Sequence, residues 1–234
     1  MKTIPIFIGY DKRERAATNV LIDSLYQNSS IPLSIVPLVT SQLRNKKLYW
    51  RKQDPKQSTE FSFTRFLVPY LMNYEGWAIF MDCDMLCNCD IKELWDQRDE
   101  SYSLMCVKHE HIPNETIKFQ GEVQSSYPKK NWSSLILFNN NECKALTPNY
   151  VNTASGLDLH RFNWLKNERE IGEINKDWNF LLEVQGKDLN PDFSAKKLVH
   201  WTLGGPWFKD QRRAGGRFAL DWFIARDNAM KLWD

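Results

Sequence analysis

Residues Trp77-Ala78-Ile79-Phe80-Met81 form an unbroken apolar run that passes directly into Asp82-Cys83-Asp84. Gly76 closes the run on one side and carboxylates close it on the other, which fits a short strand buried on both faces. Such strands belong to sheets with helices on both sides, and this restricts the protein to an α/β architecture. The amino-terminal segment agrees. Thr3–Tyr10 reads as a strand, and Asp11 caps a helix running to about Asn28 with Ala17, Val20, Leu21 and Leu25 on one face. Leu33–Val39 is the next apolar run, and strand, helix, strand in about 40 residues is the βαβ unit of a parallel sheet.

Further along, Thr40–Thr59 is polar and lysine-rich, with a turn at Asp54-Pro55, and reads as a surface excursion. Phe61–Tyr74 returns to helical periodicity, where Pro69 predicts a kink or an early end. A short helix near Ile91–Trp95, strands at Tyr102–Val107, Trp132–Phe138 and Lys197–His200, and a terminal helix Phe218–Trp233 complete the reading. Thr147-Pro148 is a helix start, and residues 109–131 form a long polar loop of the kind that is usually functional. No repeat or linker divides the 234 residues, so a single domain is expected.

Charge and cysteine usage narrow the function classes. Thirty-one Lys+Arg against 29 Asp+Glu leaves +2, too balanced for a protein that lives on nucleic acid. No stretch is long and apolar enough for a transmembrane span, and the Ile4–Ile8 run is too short for a secretory signal. Five cysteines cannot all pair, so reduced thiols and a cytoplasmic location are expected. The sequons at Asn28, Asn114 and Asn131 are then chance matches. Cys83, Cys87 and Cys89 lack a second ligand pair at zinc spacing. Lys46-Lys47 and Tyr49-Trp50-Arg51-Lys52 read as a solvated loop face rather than a headgroup site.

The chemistry concentrates at Asp82 and Asp84. Carboxylates at i and i+2 where a strand ends face the same side of an extended backbone. They sit at the carboxyl end of the strand, where open α/β sheets bind ligands. Two anions so close call for a cation, and hard oxygen ligands select Mg²⁺ or Mn²⁺. His200 closes another apolar strand, and an imidazole added to two carboxylates tilts the choice toward Mn²⁺. Gly204 and Gly205 follow it and suit close backbone approach to a diphosphate.

Four segments occur in a recognisable order: Ile6-Phe7-Ile8-Gly9-Tyr10-Asp11, Thr64-Arg65-Phe66-Leu67-Val68-Pro69-Tyr70-Leu71, Phe80-Met81-Asp82-Cys83-Asp84, and His200 followed by Gly204-Gly205-Pro206-Trp207. In this the sequence resembles GT-A glycosyltransferases of family 8, the group of glycogenin and the bacterial lipopolysaccharide galactosyltransferases. The resemblance implies a GT-A fold, a Rossmann-like, mostly parallel nucleotide-binding sheet flanked by helices. Residues 1–108 would form the nucleotide-binding half and 109–234 the donor- and acceptor-binding half. Ile8, Gly9, Tyr10 and Asp11 would line the uridine pocket, with Tyr10 stacking on the base. Arg65, Asp82, Cys83 and Asp84 would contact the nucleotide, and Asp82, Asp84 and His200 would ligate Mn²⁺ or Mg²⁺. Asn131, Ser133, Ser134, Asp158, Gly204, Gly205, Trp207 and Lys209 would face the sugar or acceptor. Asp84, Asp158 and Arg65 are the expected catalytic residues.

The sequence also departs from that family. The lysine that holds the diphosphate is absent before Pro206-Trp207, leaving Lys209, Arg212 or Arg213 as substitutes. The family's central Asp-Gln-Asp motif has its nearest match at Gly156-Leu157-Asp158, and Trp178-Asn179 is a candidate for the acceptor side or the core. The expected activity is metal-dependent transfer of a sugar from a nucleotide sugar, with a UDP-sugar as donor, to a glycan, lipid-linked or protein hydroxyl, with retention. Two alternatives stand beside it: a catalytically silent GT-A domain that binds carbohydrate, and a metal-dependent nucleotidyltransferase. The latter usually carries a glycine-rich loop after the first strand, where this sequence has Gly9 alone.

Overall fold

The computed structural model describes residues 3–53, 57–110, 129–182, 196–212, 214 and 216–231. Most of the 109–131 loop, together with the Asp54-Pro55 turn and Arg213, lies outside the described residues. The main sheet has six strands in the order β2-β1-β3-β6-β5-β7. These are β1 (Ile4–Gly9), β2 (Leu33–Leu38), β3 (Trp77–Met81), β5 (Leu104–Cys106), β6 (Leu135–Asn139) and β7 (Ile171–Glu173). β1 runs parallel to β2 and β3, and β5 parallel to β7, while β6 is antiparallel to both its neighbours. The sheet is therefore mostly parallel, with one reversed strand inside it.

Each strand's sequence explains its place. β3 is buried at all five positions, as a central strand covered on both faces must be. β2 is an edge strand with alternating burial, and it carries Pro37, whose missing N–H is tolerated there. Asp11 caps a 3-10 turn, Lys12–Glu14, by accepting from the Arg13 N–H, and α1 (Arg15–Gln27) follows.

A second, three-stranded sheet, β4-β9-β8, is formed by β4 (Met85–Cys87), β8 (Phe180–Leu181) and β9 (Leu198–His200). β4 follows β3 after only Asp82-Cys83-Asp84 and pairs antiparallel with β9, in register Met85 with His200. Leu86, Phe180, Val199 and Trp201 pack with Val20 of α1 and with Phe218 and Trp222 of the last helix, Arg217–Ala229. That gives a second apolar cluster beside the main core.

Several local expectations change. Phe61–Tyr74 is not one helix: a 3-10 turn, Thr64–Leu67, leads into a single helical turn, Val68–Leu71, with Pro69 at its start. Pro69 begins the second piece because its lost N–H is unneeded in a first turn. Thr40–Asn45 is a short helix inside the supposed excursion, and Tyr49 is buried at 2% exposure. Asn152 explains this. Its Oδ1 accepts from the Trp50 and Arg51 N–H groups, and its Nδ2 donates to the Leu48 and Pro148 carbonyls. β4, β7 and β8 are too short, at two or three residues, to show periodicity in sequence.

Candidate active site

The site is assembled at the carboxyl end of β1 and β3. Asp82 leaves β3 and donates its backbone N–H to the Ser134 carbonyl at 2.9 Å. Because β6 is antiparallel to β3, its first residues lie beside the last residues of β3, and this brings Asn131 to Ser134 to the same edge. His200 arrives through the small sheet, where its pairing opposite Met85 sets it next to Asp84. The Trp201 N–H donating to the Asp84 carbonyl at 2.9 Å holds that register.

Single ligand atoms of Asp82, Asp84 and His200 all lie within 4.8 Å of one another. His200 Nε2 is 3.2 Å from Asp84 Oδ1, and the imidazole is 2% exposed. Arg65, 5% exposed, places Nη1 2.8 Å from Asp82 Oδ1. Neither carboxylate oxygen forms an aligned hydrogen bond, although both are buried. Arg65 directs its donors elsewhere, Nη1 to the Ser133 carbonyl at 2.7 Å and Nε to the Ser62 carbonyl at 3.1 Å. Buried carboxylate oxygens without hydrogen bonds, facing an imidazole nitrogen, fit a divalent cation that takes oxygen and nitrogen ligands, such as Mn²⁺.

The electrostatics agree with this. Burial pushes the Asp82 carboxyl up to about 7, with Asp84 adding to the rise and Arg65 and His200 opposing it. Burial works to lower His200, but the charges of Asp84 and Asp82 outweigh it and the net shift is upward. Beneath the pair, Cys83 is fully buried and points away from the carboxylates, with Sγ donating to Glu14 Oε2 at 3.6 Å. Glu14 is pushed up to about 8 by burial and by the charges of Asp84 and Asp11. Cys83 is thus part of the core, with its thiol bonded to Glu14.

The other expected residues are distributed as follows. Ile8 and Gly9 are buried at the end of β1, where a Cβ on Gly9 would lie 2.2 Å from the Phe61 ring. Tyr10 is half-buried beyond them, and Asp11 is engaged by Arg13 at 2.8 Å. Ser133 Oγ is 2.7 Å from His160 Nδ1. Gly204 has φ +97 and is buried. At Gly205 the Trp207 ring occupies the space of the missing Cβ, at 2.1 Å. Trp207 in turn packs on Trp201 and Trp222. Lys209 and Arg212 are exposed. Asp158 lies in the first turn of a short helix, Gly156–His160, where its carboxylate accepts from Ser155 Oγ at 2.6 Å and Asn163 Nδ2 at 2.9 Å. The bonds described for it do not reach Asp82, Asp84 or His200.

Two residues at the site had no strong sequence signal. Asn179 is fully buried, and its Oδ1 is 2.9 Å from His200 Nδ1. His109 is buried with Nε2 unpartnered, and burial together with the charge of His200 lowers its pKa to about 4. A lone Asn after a Trp, and a lone His at the mouth of a polar loop, look ordinary until the sheets bring them in.

Comparison with known proteins gives the same fold and a family. The sequence is 50% identical over 210 residues to Protein CDI of Arabidopsis thaliana, covering 88% of this protein and 80% of that one. Among solved structures, the galactosyltransferase LgtC, crystallised with donor and acceptor sugar analogues, superposes with TM-score 0.62 at 10% identity, covering 99% of this protein and 98% of that one. The bifunctional glycosyltransferase WbbM superposes with TM-score 0.66 at 16% identity, over 97% of this protein and 50% of that one. The match therefore spans half the length of WbbM. At these identities the structural likeness speaks for the GT-A fold alone. The family model "Glycosyl transferase family 8" matches residues 23–211, most of the sequence. The protein belongs to glycosyl transferase family 8 and is a glycosyltransferase.

Proposed function

We propose that the protein transfers a sugar from a UDP-sugar to an acceptor hydroxyl, with Mn²⁺ or Mg²⁺ held by Asp82, Asp84 and His200. The observation that carries this reading is the convergence of those three side chains on one point, with two buried carboxylate oxygens lacking hydrogen bonds. When bound, the cation neutralises the charge that develops on the departing diphosphate. The protein's own residues set the geometry. Arg65 holds Asp82 from behind, and the Phe61 and Phe80 rings hold Arg65, at 5.3 and 4.9 Å from its guanidinium carbon. The Asn131–Ser134 turn offers uncharged hydrogen-bonding groups to sugar hydroxyls, and His160 fixes the Ser133 hydroxyl. Tyr10 and the β1 end form the base side, so residues 1–108 bind the nucleotide while 109–234 add His200 and the sugar-facing groups. Lys209 and Arg212 are the candidates to balance the diphosphate.

Retention of anomeric configuration belongs to the same proposal. NMR of the product linkage tests it, and an inverted anomeric carbon overturns it. The five free thiols favour a reducing cytoplasm, and among the described residues no helix is long and apolar enough to cross a membrane.

The direct test is a screen of nucleotide sugars for Mn²⁺-dependent release of the nucleoside diphosphate. Wild type should release UDP, and Asp84→Ala should lose at least about 100-fold, the scale for removing one group that stabilises developing negative charge. Glycan binding without metal-dependent UDP binding would point instead to the silent carbohydrate-binding reading.

A further inference from the structure

Beyond the three ligands, a series of one-way hydrogen bonds ends on His200, and its direction fixes which nitrogen of that ring carries a proton. The series starts at the Asn131 carbonyl, which can only accept. Asn131 sits at φ 64, a left-handed conformation that asparagine tolerates, and this opens the 3-10 turn Trp132–Ser134. That turn places Ser134 Oγ 2.7 Å from the Asn131 carbonyl, so the hydroxyl proton points there. Ser134 Oγ then offers only lone pairs to its other neighbour, the Asn179 amide at 2.8 Å. The atom of Asn179 that faces it must be the amide nitrogen, which only donates. Asn179 is thereby locked with Oδ1 toward His200 Nδ1 at 2.9 Å, and that nitrogen must donate. The reversed assignment, with the asparagine flipped, would draw the Ser134 hydroxyl proton off the Asn131 carbonyl, giving up the 2.7 Å bond and leaving that carbonyl only the Ser134 N–H at 3.3 Å.

We propose that Asn179, oriented by Ser134 and the Asn131 carbonyl, is the positioning residue that holds neutral His200 as its Nδ1–H tautomer and presents the Nε2 lone pair to the cation site. This rests on the metal-site reading above. Nε2 then faces Asp84 Oδ1 at 3.2 Å, lone pair to lone pair, a contact that a cation or a proton between them resolves. Histidines that bind metals are generally oriented by a hydrogen bond to the other ring nitrogen, and losing that partner typically weakens metal binding by about 10- to 100-fold. The relay is enclosed: Asn179 is 0% exposed, His200 2% and Ser134 3%, so water cannot readily replace a missing member.

Three variants test the relay. Asn179→Leu keeps the volume and removes both bonds. Asn179→Asp keeps an acceptor for Nδ1–H, and Ser134→Ala frees the amide to turn over. The first readout uses metal-free protein at pH 9, where ¹⁵N NMR of the ring nitrogens reports the tautomer. The His200 signal is assigned by its loss in His200→Gln, a manageable task with four histidines in the protein. Wild type and Asn179→Asp should show protonated Nδ1, whereas Ser134→Ala and Asn179→Leu should show a mixture or the Nε2–H form. The second readout is Mn²⁺ binding followed by the EPR signal of the free ion, where Asn179→Leu should bind about 10- to 100-fold more weakly and Asn179→Asp near wild type. A wild-type ring protonated at Nε2 with a bare Nδ1 overturns the proposal, as does an Asn179→Leu variant with unchanged tautomer and unchanged Mn²⁺ affinity. If Asn179→Leu does not fold, Asn179→Asp and Ser134→Ala decide by the same criteria. Wild type that binds no Mn²⁺ would sink the metal-site reading, and the tautomer measurement would still judge the relay.

Discussion

Replacing Arg65 by Met removes the guanidinium paired with Asp82 while keeping most of the side chain's bulk beside Phe61 and Phe80. In metal-free protein at pH 8, Asp82 would then lose its counter-charge beside Asp84, and the Ser133 and Ser62 carbonyls would each lose a donor. With Arg65 in place the Asp82 carboxyl stands at about 7, so the variant can take up a proton instead, and the ion-pair part of the loss at pH 8 is at most about 1.4 kcal/mol, the cost of protonating a group one pH unit above its pKa. The two lost hydrogen bonds add about 1–2 kcal/mol in all. A total near 3 kcal/mol, with a urea slope of about 2–3 kcal/mol/M, lowers the unfolding midpoint by about 1 M.

The loss must shrink at low pH, and the sign follows from linkage. The Asp82 carboxyl already stands at about 7 in the folded protein, above its usual 3.8, with Arg65 pulling it down. Without Arg65 it rises further, so the folded state binds this proton more tightly than the unfolded state does. Stability contributed by that proton is fully present below about 4 and is lost as pH rises through the folded value. At pH 5 the carboxyl is neutral in the variant, and only the hydrogen-bond part, about 1–2 kcal/mol, should remain. Urea melts at pH 5 and pH 8 in EDTA give the two differences. Equal losses at both pH values would refute the ion-pair reasoning.

Three further outcomes are expected. Mn²⁺ at about 100 times its dissociation constant should stabilise wild type by about 2.7 kcal/mol, measured as a rise in melting temperature that is absent in Asp84→Ala. Gly205→Ala should cost about 1–3 kcal/mol, because its Cβ would meet the Trp207 ring at 2.1 Å and push it off Trp201 and Trp222; tryptophan fluorescence should shift with the loss of stability. Asn152→Ala should lower stability by about 2–3 kcal/mol through its broken bonds to the Leu48, Trp50, Arg51 and Pro148 backbone, with amide exchange rising first in Leu48–Arg51.

The sequence showed most clearly what depends on local pattern. β1, β2 and β3 were legible because continuous or alternating apolar runs have few other uses. Asp82 and Asp84 were legible because a strand end fixes where paired carboxylates must lie. His200 could be proposed as their partner, but the distance rests on the β4–β9 register, and β4 has only three residues. The reversal of β6 was also hidden, since an apolar strand reads the same in either direction. That reversal is what carries Asn131, Ser133 and Ser134 to the site. Asn179 was legible only as a candidate for the acceptor side or the core, because its bonds run to Ser134 and His200, both far away in sequence. The packing of Trp207 over Gly205 had no sequence signal, because it depends on how the chain turns after His200.

Crystals grown with UDP and Mn²⁺ and measured for manganese anomalous scattering test the shared site most directly. A single strong peak bonded to Asp82, Asp84 and His200 Nε2 at about 2.0–2.3 Å is the expected result. A peak that leaves His200 out of its coordination shell, or that lies away from the two carboxylates, would contradict it.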